Sequence, residues 1–145
     1  MAFPIQESDG FPTRFQYGAV QGGHPLTGSA DAIGFGTKGQ IPLVGGTYYI
    51  NTAGVDAITL IAPVSGSGFG GGSGGTFPNL AGQDDLVVLF MSTTANAHTI
   101  TTPSNAINGS LHIATFGAAV GNNITFIAQK GVWYVVGTPK GVTLS

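Results

Sequence analysis

The sequence predicts an all-β fold, and three observations carry the prediction. Twenty-five glycines and eight prolines punctuate the 145 residues from end to end. Inside a helix each glycine costs about 1 kcal/mol and each proline about 3 kcal/mol. The stretches between these breakers are rich in Ile, Val, Thr, Phe and Tyr, residues that suit a pleated, half-buried surface. From Thr47 onward, three strand–turn–strand units of related sequence follow one another. A chain of this length fits one domain with a real core. The expected architecture is a small β-sandwich or barrel-like domain built from three hairpins, with an extended N-terminal arm.

Residues 1–45 hold scattered aromatics and many breakers but no convincing period. Phe3, Phe11, Phe15, Tyr17 and Phe35 are costly to leave in water. This stretch is read as an arm that packs on a partner chain or wraps its own domain, with Phe3, Pro4, Phe11, Phe15 and Tyr17 as the residues expected to contact a partner. Residues 46–145 form the β domain.

In that domain the first unit is "TYYIN" and "AITLIA", joined by "TAGVD" with Gly54 and Asp56 at the break. The second is "LVVLFMS" and "HTITT", joined by "TTANA". "INTAGVDAITLIAP" and "MSTTANAHTITTP" resemble each other, and each ends at a proline, Pro63 and Pro103. The third unit is "NITFIAQ" and "VWYVVG", turned by Lys130-Gly131, with "NITFIA" echoing "AITLIA". The units read as three hairpins of one ancestral style, too unevenly spaced for a regular solenoid. The Gly/Ser-rich run at 65–79 reads as a long surface loop within the domain, anchored by Phe69 and Phe77.

"LVVLFM" and "VWYVV" are apolar at every position, whereas a strand with one wet face alternates. Two-sided burial in so small a domain calls for cover from a neighbouring subunit. Leu89, Phe90, Trp133 and Tyr134 are therefore the expected subunit-interface residues.

Composition points the same way. Charged residues make up 7% of the chain, against roughly 25% in an average soluble domain. Apolar residues make up 42%, and mean hydropathy is +0.29. Such a surface repels its neighbours weakly, so much of it is expected to lie against copies of itself or another protein. The net charge of −2, with Arg14, Lys38, Lys130 and Lys140 scattered singly, argues against nucleic acid, which needs clustered cations. No run approaches the ~18 apolar residues of a membrane helix, and no membrane partner is expected. "MAFPIQESDGFP" lacks the basic start and apolar run of a secretory signal, so the protein is expected to be made and kept inside a cell. With no cysteine there is no disulfide framework and no thiolate metal site.

Candidate chemistry is sparse. "GFGTKG" (Gly34, Gly36, Gly39) and "GSGFGG" (Gly66, Gly68, Gly71) match G-x-G-x-x-G, but that motif binds a dinucleotide only between a strand and a helix. "QIPLVGG" and "GSGGTFPN" follow instead, and neither is helical. His24, His98, His112, Asp84 and Asp85 show no metal-ligand spacing, and zinc needs three or four convergent donors. Asp84-Asp85 reads as a solvated turn. "GGSGG" around Ser73 has no strand and helix to strain a nucleophile elbow. His98, set among threonines in "TTANAHTITTP", reads as a strand residue hydrogen-bonded to a threonine or a backbone group. No catalytic, cofactor-binding or metal residue is assigned, and the chain is expected not to be an enzyme.

The C-terminal half, roughly residues 85–145, resembles a segment of small virion proteins of tailed bacteriophages. The resemblance rests on a hydroxyl-rich strand at Thr99–Pro103, "INGS" at Ile107–Ser110, "ATFG" at Ala114–Gly117, "GNNITFIA" at Gly121–Ala128 and "GVWYV" at Gly131–Val135. Proteins of this kind are commonly head decoration, or cement, proteins bound outside the capsid; others sit in tail, fibre or baseplate parts. The resemblance implies a structural virion protein whose partners are the major capsid protein and itself, as a homotrimer at local three-fold positions. Its place is then the outer surface of the capsid, after synthesis in the host cytoplasm. A carbohydrate-binding β-sandwich, with Trp133 and Tyr134 as stacking platform, is the alternative from another class.

Overall fold

The structure, a computed structural model, describes residues 23–35, 38–66 and 82–145. The arm residues Phe3, Pro4, Phe11, Phe15 and Tyr17 lie outside the described residues, as do the loop anchors Phe69 and Phe77. Among the described residues the chain forms β-strands and no helix. The strands are β1 (His24–Leu26), β2 (Ala32–Gly34), β3 (Ile41–Pro42), β4 (Gly46–Ile50), β5 (Ala57–Leu60) and β6 (Val87–Ser92). They continue as β7 (Thr99–Thr101), β8 (Ile113–Phe116), β9 (Asn123–Gln129), β10 (Val132–Lys140) and β11 (Val142–Leu144).

Two mixed sheets face each other across the core. The first runs β1-β4-β6-β9-β10 and the second β11-β8-β7-β5-β2-β3. The chain crosses from the first sheet to the second after β1, β4 and β6, so β1–β2, β4–β5 and β6–β7 are three successive coils. β1, β4 and β6 pair in parallel, and so do β2, β5 and β7. β8 then returns antiparallel to β7, the β9–β10 hairpin extends the first sheet, and β11 closes on β8.

This corrects the reading of the first two repeats as hairpins. Strands β4 and β5 do not pair with each other, and neither do β6 and β7; each pairs with its counterpart one coil away. The repeat seen in the sequence is the stacking register itself. Gly46 sits beside Val88, Ile50 beside Ser92 and Ala57 beside Thr99, a constant spacing of 42 residues. The spacing is not uniform along the chain: His24 pairs Tyr48, 24 residues on, and Ala32 pairs Thr59, 27 residues on. The third unit is a hairpin as expected: Gln129 pairs Val132 across Lys130-Gly131. Both turn residues have positive φ, 50° and 81°, the backbone that a two-residue hairpin turn requires.

The domain also begins earlier than residue 46. β1 pairs β4 over His24–Leu26, and β2 and β3 join the second sheet. The described part of the 1–45 stretch, from Gly23, therefore belongs to the β domain as its first coil.

Alternation places the core. Tyr48, Ile50, Val88, Phe90, Ile124, Phe126 and Trp133 point inward from the first sheet and are fully buried. Ile33, Ile58, Leu60, Ile100, Ala114 and Phe116 meet them from the second. One aromatic ring per strand crosses the inside of the first sheet, in the order His24, Tyr48, Phe90, Phe126 and Trp133. Neighbouring centroids lie 4.9, 5.2, 6.2 and 6.2 Å apart, within the range of favourable ring pairs. Two of the three polar rings are satisfied at their tips: Tyr48 Oη donates to Pro42 O at 2.8 Å, and Trp133 Nε1 donates to Ile61 O at 2.8 Å, whereas the buried Nε2 of His24 has no partner. Burial pushes the Tyr48 hydroxyl above the usual phenol range, opposed by the hydrogen bond from the Val44 backbone.

The outer rim of β10 is not bare. The 106–108 segment lies along it: Trp133 N–H donates to Ala106 O at 2.8 Å, Asn108 N–H to Trp133 O at 2.9 Å and Val135 N–H to Asn108 Oδ1 at 3.0 Å.

Candidate functional site

Two features stand out once the fold is in place: an apolar outer face on the first sheet and a polar corner where the coils turn.

The outer face is set by strand parity. In β6, Val88, Phe90 and Ser92 point into the core, so Val87, Leu89 and Met91 point out. Register lines them up with residues of like character. Val87 sits opposite Ile127, which is opposite Tyr134; Leu89 sits opposite Thr125, which is opposite Val136; Met91 is flanked by Tyr49. Val87, Tyr134 and Val136 are 44%, 43% and 47% exposed, and Leu89, Met91 and Ile127 are partly exposed. The rows of Val87 and Leu89 hold no charged side chain, and the Met91 row continues through Asn123 to Lys140 at the margin of the face. Soluble domains seldom leave such a contiguous apolar patch in water without a use for it.

The four residues expected at a subunit interface divide between the two faces. Leu89 and Tyr134 lie on this outer surface, whereas Phe90 and Trp133 are fully buried in the chain's own core. The expectation that Phe90 and Trp133 face a partner is thus corrected: strand alternation sends every second residue of an all-apolar strand inward, and these two are on the inward parity. With Trp133 inside, only Tyr134 of the pair presents a ring to solvent, so the two form no stacking platform. Ile127, Val87, Val136 and Met91 belong to the outer face and were missed. The signal for Ile127 was present in "NITFIAQ", where it directly follows Phe126 and so takes the opposite face.

The corner is built from equivalent residues of the three coils. The Asp31 N–H donates to Asp56 Oδ1 at 3.1 Å, and the Asp56 N–H donates to His98 Nδ1 at 3.2 Å. Each corner side chain thus holds the backbone of the coil before it. Asp31 in turn accepts Gly28 N–H on Oδ2 at 3.1 Å. Asp56 and His98 are fully buried.

Because Nδ1 accepts, the neutral His98 ring carries its proton on Nε2, which donates to Thr94 Oγ1 at 3.1 Å. The ring also meets the edge of Phe116, with centroids 6.4 Å apart. Burial holds its pKa below the ordinary histidine value of 6.5. In this tautomer the ring has no free lone pair to take a proton from Thr94; it bonds a threonine and a backbone group, as the sequence suggested, but from just before β7 rather than within a strand. Asp56 behaves in the opposite sense. Burial first, and then the neighbouring Asp31 charge, push its pKa up to about 6, against the lowering effect of the Asp31 N–H. Its Oδ2 is buried with no hydrogen-bond partner.

The other candidates fall into structural places. Asp84 Oδ1 accepts Lys130 N–H at 2.6 Å, and Gln129 donates to Asp85, so this pair clamps the hairpin turn. His24 stacks on Tyr48. No group of three or more metal-binding side chains occurs among the described residues. Of the first glycine motif, Gly34 ends β2 and Gly39 lies between β2 and β3, with no helix after them. No helix among the described residues is long and apolar enough to cross a membrane. Compared with models of known protein families, with curated proteins and with solved structures, the chain matches none.

Proposed function

We propose that the chain is a structural virion protein, a bacteriophage capsid decoration protein that coats the outside of the major capsid protein lattice and reinforces the head. The observation that carries the reading is the outer face of the first sheet, with an uncharged, partly open centre at Leu89, Ile127 and Tyr134, on a chain with 7% charged residues. It is joined by the resemblance of residues 85–145 to small virion proteins.

The size of the face fits a role on a lattice. Four strands at ~4.8 Å spacing and five residues at ~3.3 Å cover roughly 300 Å², well below the ~800 Å² that each partner gives to a typical stable complex. One such contact is weak in isolation. Three copies held as a homotrimer over one capsid site multiply it by avidity. A protein that binds the assembled shell and not its free subunits adds its binding energy to the stability of the shell. The stack of coils favours a second placement, in a tail, fibre or baseplate part, since repeated parallel coils make a stiff rod-like element.

The test uses purified shells stripped of this protein. Wild-type protein is expected to rebind and raise the shells' heat resistance, whereas Tyr134→Glu and Ile127→Lys variants fold but bind at least tenfold more weakly. Undiminished binding by both variants overturns the role given to this face. Imaging of intact virions decides between head and tail. A variant lacking residues 1–20 asks separately whether those residues take part in attachment.

A further inference from the structure

We propose that Asp31 and Asp56 hold one proton in common across the corner between the first and second coils, and that its loss unlatches the first coil from the rest of the stack. Asp56 is fully buried, and its Oδ1 is occupied by the Asp31 N–H. Its Oδ2 is enclosed with no donor. A bare carboxylate oxygen in such a place is costly, because burial penalises an unpaired charge. Protonation of Asp56 removes the cost and supplies an O–H for the neighbouring Asp31 carboxylate, whose charge raises the Asp56 pKa. Two carboxyl groups sharing a proton is the usual outcome when like charges are held close.

The titratable groups facing the corner are Asp31 from the β1–β2 turn, Asp56 from the turn before β5 and His98 from the turn before β7. Thr94 and Phe116, which pack on His98, carry no charge. His98 touches Asp56 through the backbone N–H, so the carboxyl of Asp56 is left to Asp31. The rise of the Asp56 pKa to about 6 has burial and the Asp31 charge as its causes, which agrees with the geometry. A folded-state pKa above the unfolded value of 3.8 gives stability that is complete below that value and is lost as pH rises through about 6.

The first coil is the part that responds. It is held to the second by three residue pairs in the first sheet and two in the second. The corner adds Ala57 N–H to Ser29 O at 3.0 Å and Thr59 N–H to Asp31 O at 2.8 Å. When both carboxyls are charged, their repulsion acts on the hydrogen bonds that fasten this thinnest seam. The latch is closed in mild acid and loosened at neutral pH and above.

The test is carbon-13 NMR of the full chain with labelled aspartate, from pH 3 to 8, together with amide hydrogen exchange corrected for its intrinsic pH dependence. The Asp56 carboxyl is expected to titrate near 6. Protection of the Asp31, Ala57 and Thr59 amides is expected to fall at least fivefold through the same inflection, while the Phe126 amide stays constant. In Asp56→Asn, whose amide supplies the donor permanently, corner protection should lose its fall through about pH 6. In Asp31→Asn the Asp56 titration should move down toward the ordinary carboxylate range. The proposal is overturned if Asp56 titrates near 4 in the wild type, if corner protection ignores its titration, or if either variant keeps the original inflection.

Discussion

The backbone N–H of Asp56 donates to Nδ1 of His98 at 3.2 Å, and the two residues occupy the same corner of adjacent coils, 42 residues apart. Removing the acceptor strands a buried donor, which costs about 1–3 kcal/mol. His98→Ala is expected to lose at least that much stability, read from urea unfolding at pH 7. His98→Asn, which keeps an oxygen near the Nδ1 position, should recover part of the loss.

His98 and Asp56 respond to acid in opposite directions. The folded-state pKa of His98 lies below its ordinary value of 6.5, so its contribution is present above pH 6.5 and is lost as pH falls through the lower, folded value. The Asp56 contribution grows as pH falls through about 6. In the wild type the two slopes oppose each other just below about pH 6. His98→Asn should therefore become steadily more stable as pH falls from 7 to 4, and Asp56→Asn less stable. Thermal melts of the three proteins across this range decide it; parallel profiles would refute the assignment.

Neighbours on one strand should behave very differently. Phe90 is fully buried between the Tyr48 and Phe126 rings, and truncating such a residue costs about 3–5 kcal/mol. Phe90→Ala is expected to lose that much, and Trp133→Ala the same. Leu89→Ala, on the outer parity, should cost no more than about 1 kcal/mol by the same denaturation measurement.

The β9–β10 turn gives a test of local backbone geometry. Gly131 has φ of 81°, where a side chain costs about 1–2 kcal/mol. Gly131→Ala should destabilise by that amount. Lys130→Asn creates the preferred Asn-Gly pair and leaves the N–H to Asp84 untouched. Its midpoint in urea should rise slightly above that of the wild type.

The sequence read the fold class, most strand positions and the Lys130-Gly131 turn, because each depends on residues close together in the chain. It read the repeat but not its meaning. "TAGVD" and "TTANA" look like hairpin turns, yet they are coil corners, and local sequence cannot separate the two. Which strand pairs with which is decided by the core, where Tyr48 stacks on Phe90 from the next coil. The unbroken apolar runs signalled a second apolar face correctly. They gave no parity, so Phe90 and Trp133 were assigned outward with Leu89 and Tyr134. β1, β2 and β3 are two or three residues long, too short for any period to show. The corner pairing of Asp31 with Asp56 links residues 25 apart, and nothing in the intervening sequence announces it.

The segment laid along the rim of β10 decides how the molecule can multiply. Amyloid-like growth needs a row of vacant peptide groups to template the next strand, and here Ala106 and Asn108 already occupy that row at Trp133 and Val135. A second copy pairing strand to strand over Trp133–Val135 would first have to displace this segment.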